Sequence, residues 1–195
     1  MSRADVELWD EEAPSFDEAP DHGLRDPEVR AAWRRLLLDL LPPAPARVAD
    51  LGCGTGTLAA LLADEGYAVD GVDFSPEMVR RAIAKAGDRA EVSFVEADAA
   101  DPPLERRAYD AVLCRHVLWA LPDQPAVLRR WRELLRHDGR LVLVEGSWST
   151  GAGLSSAETV ALVEASGMRA DPVPLPDPAY WGREITDERY AVLGR

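Results

Sequence analysis

Long hydrophobic runs and cysteines are scarce in this sequence of 195 residues. No apolar stretch approaches the ~20 residues that a membrane-spanning helix requires, and the run at Leu36–Leu41 is interrupted by Asp39. The acidic first residues lack the apolar centre of a secretory signal peptide. Cys53 and Cys114 lie far apart in the sequence and do not suggest a disulfide framework. We therefore expect a protein of the reducing cytoplasm with no membrane partner.

Basic residues are also few. The 22 lysines and arginines stand against 35 acids, which gives a formal net charge of −13. Such a surface repels nucleic acids unless a local basic stripe exists. The basic stretch Arg129–Arg136 puts its arginines on the polar face of an amphipathic helix, which indicates a solvated face. The negative net charge and this solvated face indicate no nucleic-acid partner. No spacing of histidines and carboxylates resembles a zinc site, so no metal is expected either.

Strand and helix patterns alternate after Pro45. Strands are predicted at Arg47–Leu51, Ala68–Asp73, Val92–Glu96, Tyr109–Cys114, Arg140–Glu145, Met168–Pro172 and Tyr190–Leu193, and helices at 27–41, 58–65, 76–87, 125–139 and 155–167. This alternation favours a doubly wound, parallel α/β sheet, which binds ligands at the carboxyl ends of its strands. We expect residues 1–45 to form an N-terminal helical lid and a helix within the same domain as the core at 46–195.

A glycine-rich turn follows the first predicted strand, with Gly52, Gly54 and Gly56 in five positions. Glycines permit a tight turn and let a ligand approach the backbone, and the free amides of the next helix would face that ligand. The turn departs from the dinucleotide fingerprint G-x-G-x-x-G, because Thr57 stands where the third glycine belongs. By itself, the turn is compatible with a purely structural role.

Carboxylates accompany the ends of three successive predicted strands. Asp50, near the end of the first, can orient a polar or cationic group of a ligand. Asp73 lies 21 residues after Gly52, where a carboxylate can accept both hydroxyls of a ribose. Asp98 follows the third strand and could reach an adenine amino group. Each acid alone is compatible with a capping or solvated role, but the set and the glycine turn together indicate a nucleoside-bearing cofactor.

Five motifs occur in order between about Val48 and Gly146: VADLGCGTG, VDGVDFSPEM, VEADA, YDAVLCRHVLWALPD and LLRHDGRLVLVEG. This set resembles the class I methyltransferases that use S-adenosylmethionine. The acidic first segment with HGLRDP, the stretch RHVLWALPDQP and the late WGREITDERY resemble, more loosely, the small actinobacterial enzymes that methylate metabolites. The resemblance implies a Rossmann-like, seven-stranded mixed sheet whose last strand is antiparallel, and S-adenosyl-L-homocysteine as product. The cofactor residues that it implies are Asp50, Gly52, Cys53, Gly54 and Gly56 at the methionine part, Asp73 at the ribose, Phe74, Asp98 and Ala99 at the adenine, and the backbone of Arg115.

The methyl acceptor must be bound by segments above the sheet, and the candidates are residues 1–26, the loop 146–154 and the proline-rich loop 172–183. Eight acids precede Gly23: if this segment folds over the site, it favours a cationic acceptor, and the alternative is a solvated acidic tail. The predicted acceptor contacts are Trp9, Asp10, Phe16, Trp119, Trp148 and Trp181. His116, after the fourth strand, and His22 are the candidate catalytic residues, each either as a base or only as an orienting or packing group.

The leading hypothesis is methyl transfer to an amine or hydroxyl of a small metabolite, with an aminosugar or aminoglycoside of antibiotic biosynthesis as the example. Two other classes stay open: a nicotinamide-dependent oxidoreductase and a non-catalytic cofactor-binding protein. We expect a monomer or homodimer.

Overall fold

The computed structural model of the protein describes residues 2–195, which form seven α-helices around one β-sheet. The helices are α1 (Arg3–Glu12), α2 (Pro20–Gly23), α3 (Pro27–Leu40), α4 (Thr57–Asp64), α5 (Pro76–Ala86), α6 (Gln124–Leu134) and α7 (Ser156–Ala165), and short 3-10 helices cover Phe16–Glu18, Leu118–Ala120 and Pro178–Tyr180. The strands are β1 (Arg47–Leu51), β2 (Ala68–Asp73), β3 (Val92–Glu96), β4 (Tyr109–Arg115), β5 (Leu135–Ser147), β6 (Ala170–Pro174) and β7 (Glu188–Gly194). In this described part of the chain, no helix combines the length and apolar character that crossing a bilayer demands.

The seven strands form a single sheet in the order β3-β2-β1-β4-β5-β7-β6. Strands β1 to β5 run parallel, whereas β7 is antiparallel to both β5 and β6. The strand order reverses between β1 and β4, and ligands of such sheets bind in the crevice beyond the carboxyl ends at that point. The predicted Rossmann-like mixed sheet with an antiparallel last strand is therefore confirmed.

The first three strands have the bounds that the sequence predicts, because their apolar runs are short and end at acids or glycines. In β1, Val48 and Leu51 are fully buried, as expected for a strand that carries helices on both faces.

One helix prediction is wrong at its end, since α6 stops at Leu134 rather than at Gly139. The carbonyl groups of Glu133 and Leu134 accept hydrogen bonds from the backbone N–H groups of Arg107 and Ala108, each 3.0 Å long. These bonds hold the end of α6 beside the start of β4, so the chain continues as a strand that pairs with β4. Strand β6 likewise lies two residues later than predicted.

Each face of the sheet carries its own hydrophobic core. On one face, Trp33 of α3 is fully buried and its Nε1 donates a hydrogen bond to the carbonyl of Tyr180, at 2.7 Å. On the other face, Trp131 of α6 is fully buried and donates to the carbonyl of Ala99, also at 2.7 Å. Burial of each such ring stabilises the fold by roughly 2–3 kcal/mol. The second contact also fixes the loop after β3, where a predicted site residue lies.

Candidate functional site

The glycine turn after β1 is held in a left-handed conformation. Gly52, Gly54 and Gly56 have φ angles of 75°, 53° and 73°, which side chains of L residues rarely adopt. A Cβ added to Gly52 would lie 2.4 Å from the Val117 side chain, and one added to Gly54 would lie 3.1 Å from the Phe16 ring. The turn therefore needs glycine both for its backbone and for the close approach of groups above it.

Asp73 joins the end of β2 to this turn. Its carboxylate accepts hydrogen bonds from the backbone N–H groups of Gly54, at 2.8 Å, and Ser75, at 3.0 Å. The residue is 7% exposed, and burial raises the pKa of its carboxyl against the lowering effect of these bonds. The Asp73 carboxylate is thus held in a fixed position at the sheet edge by hydrogen bonds from backbone groups.

Asp50 lies behind the turn and is almost completely buried. Among residues 2–195, its Oδ2 has no hydrogen-bond partner. Burial raises the pKa of Asp50 to about 7, while the Arg115 guanidinium opposes the rise and the Asp73 carboxylate adds to it. A cationic ligand group near this carboxylate would restore its ionised form.

A cavity of about 120 Å³ opens above these residues. Most of the residues predicted for cofactor, acceptor or catalysis line it: Trp9, Phe16, His22, Gly52, Cys53, Gly54, Asp73, Phe74, Asp98, Ala99, Arg115, His116 and Trp119. The structure adds Met78, Val117, Ala120 and Leu121, which the sequence reasoning missed. These side chains are apolar or small, so no chemical signature distinguishes them from ordinary core residues.

Five predicted site residues lie outside the cavity wall. Asp50 belongs to β1 and Gly56 to the turn that follows it, where Gly56 approaches Ala82 and Phe94. Trp148 and Trp181 lie behind His116, with ring centroids 5.2 and 6.0 Å from its imidazole. Asp10 faces α5, as described below.

His116 follows β4 in a left-handed backbone conformation, with φ 60°. The backbone N–H of His116 donates a hydrogen bond to the carbonyl of Val144, which connects this turn to β5. The imidazole Nδ1 is buried and has no hydrogen-bond partner within the described chain. Burial, reinforced by the positive charge of Arg115, holds the pKa of His116 well below its ordinary value. The ring is therefore neutral at physiological pH and able to accept a hydrogen bond.

Glu145 is a site residue that the sequence reasoning missed. This fully buried carboxyl in β5 accepts hydrogen bonds from the N–H groups of Val117, at 3.2 Å, and Leu118, at 2.9 Å. Burial raises the pKa of Glu145 to about 8 against these two bonds. Glu145 thus fixes the loop that carries His116. The available signal was a single acid at the end of the apolar run LVLVEG.

Residues 2–26, called the N-terminal segment below, cover the cavity. Phe16 lies over Gly54, and its ring stacks on His22 with 4.3 Å between centroids. Arg115, whose guanidinium lies 5.1 Å from the Trp33 ring centroid, donates a hydrogen bond to the carbonyl of Asp21. Trp9, Phe16 and His22 form the part of the cavity wall that this segment supplies.

Two carboxylates attach the N-terminal segment to the core. Asp10 accepts hydrogen bonds from the Ser75 hydroxyl, at 2.5 Å, and the Glu77 backbone N–H, at 3.1 Å. Asp17 accepts one from the Thr55 hydroxyl, at 2.5 Å, and pairs with Lys85, at 2.7 Å. Both acids therefore bind protein groups, and no acid of the segment lines the cavity.

The site offers backbone amides, buried carboxylates, a neutral imidazole and aromatic rings. Within residues 2–195, no cluster of histidine, cysteine or acidic side chains is arranged to hold a metal ion. Both cysteine thiols are buried and unpaired, and burial raises the pKa of each well above its ordinary value. The arrangement suits binding of a nucleoside and activation of a polar nucleophile, rather than thiol chemistry.

Comparisons with known proteins cover the same region. A family model described as a methyltransferase domain matches residues 49–143. The chain is 41% identical over 117 residues to the demethylmenaquinone methyltransferase of Thermus thermophilus, covering 58% of this chain and 53% of that protein. It is 39% identical over 115 residues to the nocamycin O-methyltransferase of Saccharothrix syringae, covering 56% of this chain and 41% of that one. The chain thus spans about half the length of the curated relatives it matches.

Solved structures share the architecture. An S-adenosylmethionine-dependent methyltransferase from Mesorhizobium loti superposes with a TM-score of 0.69 at 18% identity, covering 86% of this chain and 97% of that one. The [4+2]-cyclase SpnF superposes with a TM-score of 0.73 at 20% identity, covering 84% and 80%. At these identities the likeness establishes the fold alone.

Proposed function

Because this chain belongs to the class I S-adenosylmethionine-dependent methyltransferases, we propose that it methylates a small molecule bound above the glycine turn. When bound, the cofactor supplies an electrophilic methyl group on a sulfonium sulfur. The observation that carries the proposal is the convergence of the turn, Asp73 and His116 on one cavity.

The residues present fit this cofactor. Because Gly52 and Gly54 have no side chains, their backbone groups lie within reach of the methionine part of the cofactor. The unpartnered, buried Oδ2 of Asp50 suits a ligand that carries an amino group. Asp73 would accept hydrogen bonds from the ribose hydroxyls, and Ala99 would lie at the adenine.

The N-terminal segment acts in this proposal as a lid. The cavity of about 120 Å³ is smaller than the roughly 300–1,000 Å³ of sites for ligands of this size. Phe16 occupies space directly over Gly54, so cofactor entry requires this ring to move. Because Asp10 and Asp17 hold the segment to α5 and to the turn, opening must break those bonds.

For the acceptor we favour a hydroxyl group. A hydroxyl needs a base to become a good nucleophile, and His116 offers a neutral imidazole in the cavity wall. In this proposal His116 takes the acceptor proton while the aromatic wall orients the acceptor. Orientation is expected to supply much of the rate, since transfer needs the nucleophile in line with the methyl group.

An amine acceptor, such as an aminosugar, remains the second candidate. The acids of the N-terminal segment favour a cationic molecule at long range. Asp10 and Asp17, however, bind protein groups rather than facing the cavity, which weakens that argument.

The test is incubation with methyl-labelled S-adenosylmethionine and two acceptor sets, one of phenols and alcohols and one of aminoglycosides and polyamines. Label transferred to a hydroxyl supports the proposal, and label on nitrogen supports the second candidate. Calorimetry with S-adenosyl-L-homocysteine and with NAD provides the binding control. Binding of NAD instead would overturn the proposal in favour of an oxidoreductase. Cofactor binding without transfer to any acceptor would favour a non-catalytic binding protein.

A further inference from the structure

The arginines of Arg129–Arg136, expected from the sequence to form a solvated face, do not all point into open solvent. Together with residues before β4 and at the end of β7, they line a cleft of about 760 Å³. Its six arginines are Arg106, Arg107, Arg129, Arg132, Arg136 and Arg195. The only acidic residue in the lining is Glu133. In a chain of net charge −13, this is a local concentration of positive charge that the overall composition does not predict.

The cleft is separate from the cofactor cavity. Its wall includes Arg107, which precedes β4, and Leu135, which begins β5. The cofactor cavity is lined by Arg115 and His116, at the other end of β4. The seven residues of β4 place the two sites roughly 20 Å apart, at opposite edges of the sheet.

Two of the six guanidinium groups have no hydrogen-bond or ion-pair partner within residues 2–195, whereas Arg195 pairs with Asp171 at 2.7 Å. Arg106 pairs with Glu133 at 3.2 Å, and Arg136 pairs with Asp110 at 2.6 Å. Arg107 and Arg129, by contrast, make no side-chain ion pair or hydrogen bond with any other part of the chain from residue 2 to 195. Their charges are therefore available to a ligand.

Other groups hold the cleft in shape. Arg132 donates a hydrogen bond to the carbonyl of Ser166, at 2.9 Å, which fixes its guanidinium beside the end of α7. Leu135 and Met168 line the cleft and are mostly buried, so part of its wall is apolar. Apolar walls of low dielectric constant strengthen the field of the surrounding charges. The volume lies within the range of small-molecule sites.

We infer that this cleft binds a small molecule that carries at least two anionic groups, either phosphates or carboxylates. Guanidinium groups bind both oxyanions through pairs of parallel hydrogen bonds, and the two arginines without a partner, Arg107 and Arg129, can hold two such groups. The inference does not depend on the proposed methyl transfer, since none of the cleft residues lines the cofactor cavity.

The experiment is calorimetric titration of the whole chain with inorganic diphosphate and, separately, with citrate at low salt. Arg129→Glu is the test variant. Arg35→Glu is its matched control, because Arg35 is another exposed helical arginine without an ion pair in the described chain, and both changes alter the net charge equally. We expect saturable binding of one ligand per chain, weakened about tenfold or more by Arg129→Glu and less than about twofold by Arg35→Glu.

The two titrants distinguish the source of the anion. Binding of diphosphate alone assigns the cleft to phosphate-bearing molecules, and binding of citrate alone assigns it to polycarboxylates. Absence of saturable binding for both would overturn the inference, as would equal weakening by the two variants. Unchanged affinity of Arg129→Glu for S-adenosyl-L-homocysteine shows that the variant is folded, and Arg107→Ala gives a second, milder test.

Discussion

Lys85 and Asp17 form an ion pair, 2.7 Å between Nζ and Oδ2, that joins helix α5 to the N-terminal segment. The same ammonium donates to the hydroxyls of Thr55, at 2.8 Å, and Thr57, at 2.6 Å. Burial disfavours the Asp17 carboxylate, yet the bonds from Lys85 and Thr55 outweigh this and hold its pKa below the ordinary value. Lys85 is the single lysine of the chain, so its amine is a specific reporter of the contact.

Asp17→Ala should loosen the N-terminal segment. Loss of this partly exposed, hydrogen-bonded pair is expected to cost about 1–2 kcal/mol of segment docking, roughly a 5- to 30-fold increase in opening. An amine-reactive reagent should then modify Lys85 faster, and S-adenosyl-L-homocysteine should dissociate faster. Glu18→Gln, at an exposed acid of the same segment, is the control. Equal modification rates in both variants and the native chain would argue against a lid held by this pair.

Gly54→Ala should reduce cofactor affinity by about tenfold or more, because a Cβ there meets the Phe16 ring and occupies the ligand's side of the turn. Gly87→Ala is a matched control, since Gly87 also has a positive φ, 60°, but open space around its Cβ. Both changes should destabilise the fold by about 1–2 kcal/mol through backbone strain. Calorimetry and urea unfolding separate the two effects, and equal losses of affinity would leave no special role for Gly54.

Asp73→Asn should weaken binding of S-adenosyl-L-homocysteine by roughly 10- to 100-fold, because hydrogen bonds to a charged acceptor contribute about 1.5–3 kcal/mol. The asparagine keeps the shape of the side chain and one acceptor oxygen. Asp88→Asn removes the same charge at an exposed position after α5 and should leave affinity unchanged. Titration calorimetry at constant ionic strength measures both, and an unaltered affinity in Asp73→Asn would remove the ribose contact.

His116→Gln should lower kcat about 10²-fold or more while cofactor affinity stays within a few-fold, if the imidazole takes the acceptor proton. His137→Gln should change neither, since His137 is exposed on the other edge of the sheet. Because the pKa of His116 is held well below its ordinary value, the neutral base persists as the pH falls. The rate of the native chain should therefore show no loss through a pKa near 6.5. Such a loss, or full activity in His116→Gln, would contradict the assignment.

Glu145 should make stability depend on pH. Its folded pKa, about 8, lies above the unfolded value of about 4.3, so the folded state holds the extra proton between them. The stability associated with the neutral carboxyl is present below pH ~4.3 and is lost as the pH rises towards 8, by up to about 1.4 kcal/mol per pH unit.

Glu145→Gln removes that dependence, because the amide is neutral at every pH. Urea unfolding at pH 6, 7 and 8 should therefore show that the free energy of unfolding of the variant increases relative to that of the native chain as the pH rises. A constant difference between the two proteins would mean that Glu145 is already ionised in the fold.

The sheet was predictable because its signals are local. Each apolar run from β1 to β3 ends at a glycine, an acid or a cap, and a parallel sheet needs no further information to place those ends on one edge. The end of α6 was not predictable in this way, since the backbone of Arg107 and Ala108 competes for its last carbonyl groups.

The site residues that lie at strand ends were predictable from the sequence. The site residues that are positioned by contacts between distant parts of the chain were not. Gly54, Asp73 and His116 line one cavity as expected. The partners of Asp10 and Asp17 lie 65 and 38 positions away, and nothing in an acidic stretch indicates which acid will find a partner. The arginine cleft was missed for the same reason, because a helical pattern shows which face is polar but not what faces it.

The N-terminal segment precedes in the chain every strand that it covers. During synthesis this segment leaves the ribosome before β1, β2 and β4 have been made. Its aromatic rings therefore cannot pack against the cavity wall until the chain has been synthesised to about residue 117.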